Sequence, residues 1–99
     1  MNANMKILDL PLKAKWYNLI KSGEKREEYR ENKPFWQIRL SICIHGRIVV
    51  LNPRGYTHVR FRYGYTKQTM LFKIKDIDFG FGNTSLGAPS DRQVFIIKF

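Results

Sequence analysis

The chain has 99 residues and a formal charge of +10, from 18 Lys and Arg against 8 Asp and Glu, with 43% hydrophobic residues and a single cysteine. A chain of this size buries roughly two-thirds of its unfolded surface, enough for one core and too little for two, so residues 1–99 are expected to form a single domain. Cys43 has no partner for an intramolecular disulfide, and with His45 and His58 it cannot complete a structural zinc set. No metal or other cofactor is therefore expected. No run approaches the ~18 apolar residues of a membrane span, and the first residues carry no long apolar leader, so the expectation is a cytoplasmic protein without membrane contact.

In chain order, the apolar run from Met5 to Leu10, closed by Pro11, reads as a first strand. Leu12, Trp16, Leu19 and Ile20 recur at helical spacing, and Gly23 just beyond them suits the left-handed residue that ends a helix. Arg26 to Glu31 reads as a polar strand, and Pro34 can open a short helix carrying Phe35, Trp36 and Leu40. From Ser41 the periodicity is that of β structure. Ile42–Ile44 and Ile48–Leu51 are split by His45-Gly46, and Val59, Phe61, Tyr63 and Tyr65 alternate with His58, Arg60, Arg62 and Gly64. Met70, Phe72 and Ile74 then continue on a strand paired back through the turn at residues 64–68. After a loop at 80–91 rich in Gly, Asn, Ser and Pro, Gln93 to Phe99 reads as a closing apolar strand. The expected fold is α+β: a partly closed β-barrel of five or six strands with two N-terminal helices.

The charge is unevenly placed. Residues 32–75 hold nine basic side chains, no acidic one, and seven aromatics. A basic stretch interleaved with aromatics is the composition of a surface that follows phosphates and stacks bases. The plainer reading makes the aromatics core and the cations a solvated face. It suffices for Trp16, for Tyr63 and Tyr65 as inward-facing strand residues, and for Cys43 as a core thiol; Trp36 fits either role. The absence of any acid is what it fails to explain, because an ordinary soluble surface mixes signs. Arg60 and Arg62, together on the polar face of one strand, are the leading candidates for phosphate contacts, followed by Arg54 in the loop before it. His45 and His58 lack the neighbours of a triad or a metal site.

The densest chemistry lies at residues 23–30, Gly-Glu-Lys-Arg-Glu-Glu-Tyr-Arg. On a strand beginning near Arg26, Glu28 and Arg30 share a face, and Lys25 in the preceding turn can reach it. A carboxylate between two cations can fix Arg30 and leave donors of Lys25 and Arg30 for a ligand.

The pattern G-x-K-x-x-E-x-R, following an amphipathic helix and preceding Lys33-Pro34-Phe35-Trp36, resembles that of the ASCH domain family, small proteins of PUA-like fold. Val59 to Tyr65, Leu86 to Pro89 and Val94 to Ile97 resemble the corresponding parts of short phage and bacterial members. The resemblance implies a PUA-like barrel with a cleft lined by Lys25, Glu28 and Arg30, Gly23 making the turn, and RNA or a nucleotide as ligand. It also implies an alternative, because some members are amidohydrolases that deacylate N4-acetylcytidine with a lysine, a threonine and a glutamate. Lys25 matches the lysine, and Glu28 could move the proton. The threonine position, however, is itself Glu28, and an adjacent carboxylate is expected to keep Lys25 protonated, which disfavours a general base. A second carboxylate would have to come from Asp76 or Asp78. The balance favours an RNA-binding module over an enzyme.

Overall fold

Leu8, Leu10 and Leu12 alternate with outward residues, so the first strand, β1 (Ile7–Leu12), buries one face and runs through Pro11. The computed structural model describes residues 4–99; residues 1–3 of the expected domain lie outside it. Helix α1 (Ala14–Ser22) follows, ending at Gly23 with φ 89°, the left-handed cap expected there. Leu12 belongs to β1 rather than to this helix. Tyr17 takes the core-facing position with Ile20, its ring edge-on to Tyr63 at 5.1 Å. Strand β2 (Glu27–Arg30) and helix α2 (Pro34–Leu40), with Pro34 in its first turn, fall as the sequence indicates.

Strands β3 (Ser41–Ile44) and β4 (Arg47–Leu51) form a hairpin whose turn residues His45 and Gly46 have φ 51° and 75°, the conformation that matches strand twist. Strand β5 (His58–Tyr63) pairs antiparallel with β6 (Thr69–Lys73), as the turn after it predicts, and in parallel with β1, which the sequence reading did not anticipate. Strands β7 (Asp76–Gly80) and β8 (Val94–Lys98) are antiparallel, with β2 on the other side of β8. Between them lies a short 3-10 turn at Thr84–Leu86.

The expected PUA-like barrel does not form. Among the described residues eight strands make three small open sheets, β1-β5-β6, β2-β8-β7 and β3-β4, and the helices are not both N-terminal, since α2 follows β2 in the chain. The physical reason lies at the seam between β1 and β2. Pro11 has no N–H to donate, β2 is only four residues long, and the two strands are joined by the Arg30 side chain, whose Nη2 lies 3.4 Å from the Pro11 carbonyl oxygen. The strand missing from the sequence reading is β7, although Ile77 and Phe79 alternating with Asp76 and Asp78 carry its period-two signal.

The two larger sheets meet through Phe61, Phe72 and Phe99, whose ring centroids lie 4.8–6.0 Å apart, with Leu10, Val59, Phe95 and Ile97 buried around them. Two expectations for individual side chains fail. Cys43 is exposed on the β3-β4 hairpin, because a two-stranded sheet has too little covering it. Tyr65 is 94% exposed, because β5 ends at Tyr63 and the chain has already turned. Among the described residues no helix is long and apolar enough to cross a membrane, and no three metal-ligating side chains converge.

Candidate functional site

The turn after α1 brings Lys25 under the loop that follows β7, and β2 then sets Glu28 and Arg30 on one face, as their spacing requires. Glu28 is bound from both sides: its Oε1 lies 3.1 Å from Lys25 Nζ and its Oε2 2.8 Å from Arg30 Nη2. The three motif side chains therefore converge, but they are not equally available. Lys25 is 1% exposed. Its ammonium donates to the carbonyl of Leu86 and lies 4.4 Å and 5.0 Å from the ring centroids of Trp16 and Tyr29. Two acceptors and two aromatic faces thus surround the cation.

The loop closes over this cluster because two glycines admit close contact. At Gly82 a Cβ would stand 2.6 Å from both the Tyr29 ring and the Ala88 Cβ, and at Gly87, with φ 105°, one would stand 2.9 Å from the Trp16 ring. Tyr29 ties the loop further, donating to Glu27 Oε1 at 2.9 Å and accepting from the Asn83 N–H at 3.1 Å. Trp16 is the lid of a lysine pocket as well as part of the core edge.

Glu28 favours the protonated form of Lys25, as expected, but it is not the stronger influence. Burial outweighs the attraction of Glu28 and pulls the lysine below its ordinary value of 10.5. Burial likewise pushes Tyr29 up, to about 12 from 10.0. These two shifts have opposite consequences. Between Lys25's lowered value and 10.5 the unfolded chain binds more protons, so stability rises with pH. Between 10.0 and about 12 the folded chain holds the extra tyrosine proton, so stability falls. Denaturation midpoints taken across alkaline pH should therefore climb and then drop. Lys25→Met should flatten the climb, and Tyr29→Phe should reduce the drop.

Arg30 is the motif residue that faces open space. It lies on the walls of two clefts, one of about 320 Å³ with Tyr29, Pro89 and Arg92, the other of about 310 Å³ with Trp36, Arg39 and Tyr56; neither wall includes Lys25 or Glu28. Its guanidinium carbon is 5.2 Å from the Trp36 ring centroid, and its buried Nε has no acceptor among the described residues. Glu28 and the Pro11 carbonyl hold one nitrogen, so the group is oriented rather than free. A hydrolytic role for Lys25 and Glu28 would need a substrate to reach an ammonium closed off by Leu86, Trp16 and Tyr29. Asp78 is engaged elsewhere, by Lys98 and by the Phe79 N–H.

The expected phosphate contacts divide. Arg60 and Arg62 do share the outward face of β5, but the parallel register sets Asp9 opposite Arg60, and its carboxylate takes Arg60 at 2.7 Å and reaches Arg62 at 3.8 Å. Sequence reasoning missed Asp9 because its partner lies 51 residues away. Arg54 is exposed in the loop between β4 and β5. That loop is clamped by Asn52, at φ 55°, whose side-chain amide both accepts from the Tyr56 N–H and donates to the Tyr56 carbonyl. Asn52 thereby places Tyr56 in the cleft wall. An Asn before Pro-Arg-Gly is the local signal for such a turn.

Comparison with protein-family models, with curated proteins and with solved structures returns no match to this chain.

Proposed function

We propose that this domain binds RNA, with Arg30 as the ligand-facing member of the motif and the basic stretch at residues 32–75 as the source of general affinity. The observation that carries this reading is the setting of Arg30: a guanidinium fixed by Glu28, beside Trp36, on the walls of two clefts. With one nitrogen tied to Glu28 and Pro11 and Nε buried, the remaining Nη1 donors suit a phosphate oxygen or an acceptor on a base edge. The resemblance to the ASCH family supports RNA over other polyanions; the barrel is not part of the reading. Lys25 and Glu28 act by holding Arg30 and the overlying loop, with Gly23 making the turn between helix and strand. Arg54, Arg60 and Arg62 hold the phosphate backbone, the latter two tempered by Asp9. An exposed unpaired Cys43 suits a reducing compartment such as the cytoplasm.

Binding through phosphates releases counterions. Titration of labelled RNA at increasing salt should therefore give a log-log slope of about −0.7 for each phosphate contacted on a single strand. Absence of binding at low salt, or binding indifferent to salt, would overturn the reading.

A further inference from the structure

The two clefts that share Arg30 do not end there. A third, of about 640 Å³, lies between the tip of the β3-β4 hairpin at Gly46 and the β7-β8 pair at Phe79 and Gln93, and it shares Glu31 and Arg92 with the cleft beside Tyr29. Shared wall residues set the three clefts in series, as an interrupted trough from Tyr56 and Trp36 at one end, past Arg30 and Arg92, to Phe79 at the other. We propose that this trough is the path of a single RNA strand, with an unpaired base seated at the end formed by Phe35, Trp36 and Tyr56. The proposal rests on the RNA-binding reading above and specifies the form of RNA and where it lies.

Three features favour this occupant. First, each aromatic of the end cleft stands beside a cation: Arg39 lies 3.5 Å from the Phe35 ring centroid, Arg30 5.2 Å from that of Trp36, and Lys6 5.5 Å from that of Tyr56. Each cation lies over its ring, so a base would stack on the opposite ring face or on the guanidinium plane, and its phosphate would meet the charge. Second, ring faces reward only bases that are out of a duplex, since paired bases present their edges and backbone. Third, the carboxylates along the path are already countered. Asp9 is held by Arg60, and Glu31 lies 3.2 Å from Lys33. Asp9, in the wall of the end cleft, can also accept an N–H from an exocyclic base amine.

Fluorescence anisotropy with a labelled single-stranded RNA of about 12 nucleotides, and with the same strand annealed to its complement, tests the proposal. At low salt the single strand should bind about tenfold more tightly than the duplex. Phe35→Ala and Tyr56→Leu should each weaken the single strand by about tenfold while changing the duplex little. Phe35 is exposed, so its loss does not threaten the fold, and circular dichroism checks the Tyr56 variant. Lys67→Gln removes one charge from the turn after β5, at the end of that sheet away from Tyr56, and should weaken both forms alike. Equal affinity for the two RNAs, with Phe35→Ala and Tyr56→Leu behaving like Lys67→Gln, would overturn the trough and leave RNA binding standing. Failure of both RNAs to bind would overturn RNA binding, and the trough with it.

Discussion

Glu28→Ala should be among the most damaging single substitutions in this chain, lowering unfolding free energy by about 3–5 kcal/mol, the usual cost of stripping one partner from a buried ion pair. The carboxylate is bonded on both oxygens, and without it the Lys25 ammonium, 1% exposed, keeps only the Leu86 carbonyl and two aromatic rings. Desolvation has already drawn Lys25 below its ordinary value, so even with Glu28 in place its partners do not fully offset the burial of the charge, and removing the carboxylate takes away the largest offset. Against a total stability of about 5–15 kcal/mol for a domain of this kind, the loss would be visible as a large drop in urea midpoint. Lys25→Met should cost much less. It removes the charge and keeps an unbranched chain under Trp16, while Arg30 still neutralises Glu28. A Glu28→Ala cost below about 1 kcal/mol would show the cluster to be solvated and Arg30 to be held by something else. Where the variant remains folded, its RNA affinity should also fall, because Arg30 loses the bond that orients it.

Gly87→Ala should produce the second large effect, about 2–5 kcal/mol, from two separable causes. A left-handed backbone costs a residue bearing a Cβ about 1–2 kcal/mol, and forcing that Cβ into packed atoms adds about 1–3 kcal/mol. At φ 105° and 2.9 Å from the Trp16 ring, Gly87 meets both conditions. The obstacle is an indole already placed by Lys25 and α1, so the loop must move, and with it the Leu86 carbonyl that Lys25 needs. Gly80→Ala, at the end of β7 where the loop begins, is the control, since nothing lies within 4 Å of a Cβ there. Chemical denaturation of the two variants side by side separates local strain from a general intolerance of the loop. Equal and small losses would mean that the loop does not brace the lysine pocket.

How much of the site could be read in advance depended on the range of the interaction involved. Gly23 as a cap, Pro34 at a helix start and the shared face of Glu28 and Arg30 follow from backbone rules that span a few residues, and they hold. The barrel failed because closure is a property of strand ends meeting across the molecule. At that seam the chain offers a proline and a short strand instead of a ladder. The cleft walled by Pro11, Arg30 and Trp36 lies at this same seam. Asp9 shows the limit in one residue: nothing near it in sequence indicates an arginine partner, and only the parallel pairing of β1 with β5 supplies one.

A strongly basic chain whose positive charge gathers in an acid-free middle segment, and a Glu28 set beside two cations within residues 23–30, are legible in the order of the residues alone. These are consequences of composition and of the period-two geometry of a strand. That Lys25 is sealed while Arg30 still reaches two clefts is a matter of long-range packing, because burial depends on which distant surface arrives. Here it is a loop whose Leu86 lies 61 residues away in the chain and whose glycines let it settle onto Trp16 and Tyr29.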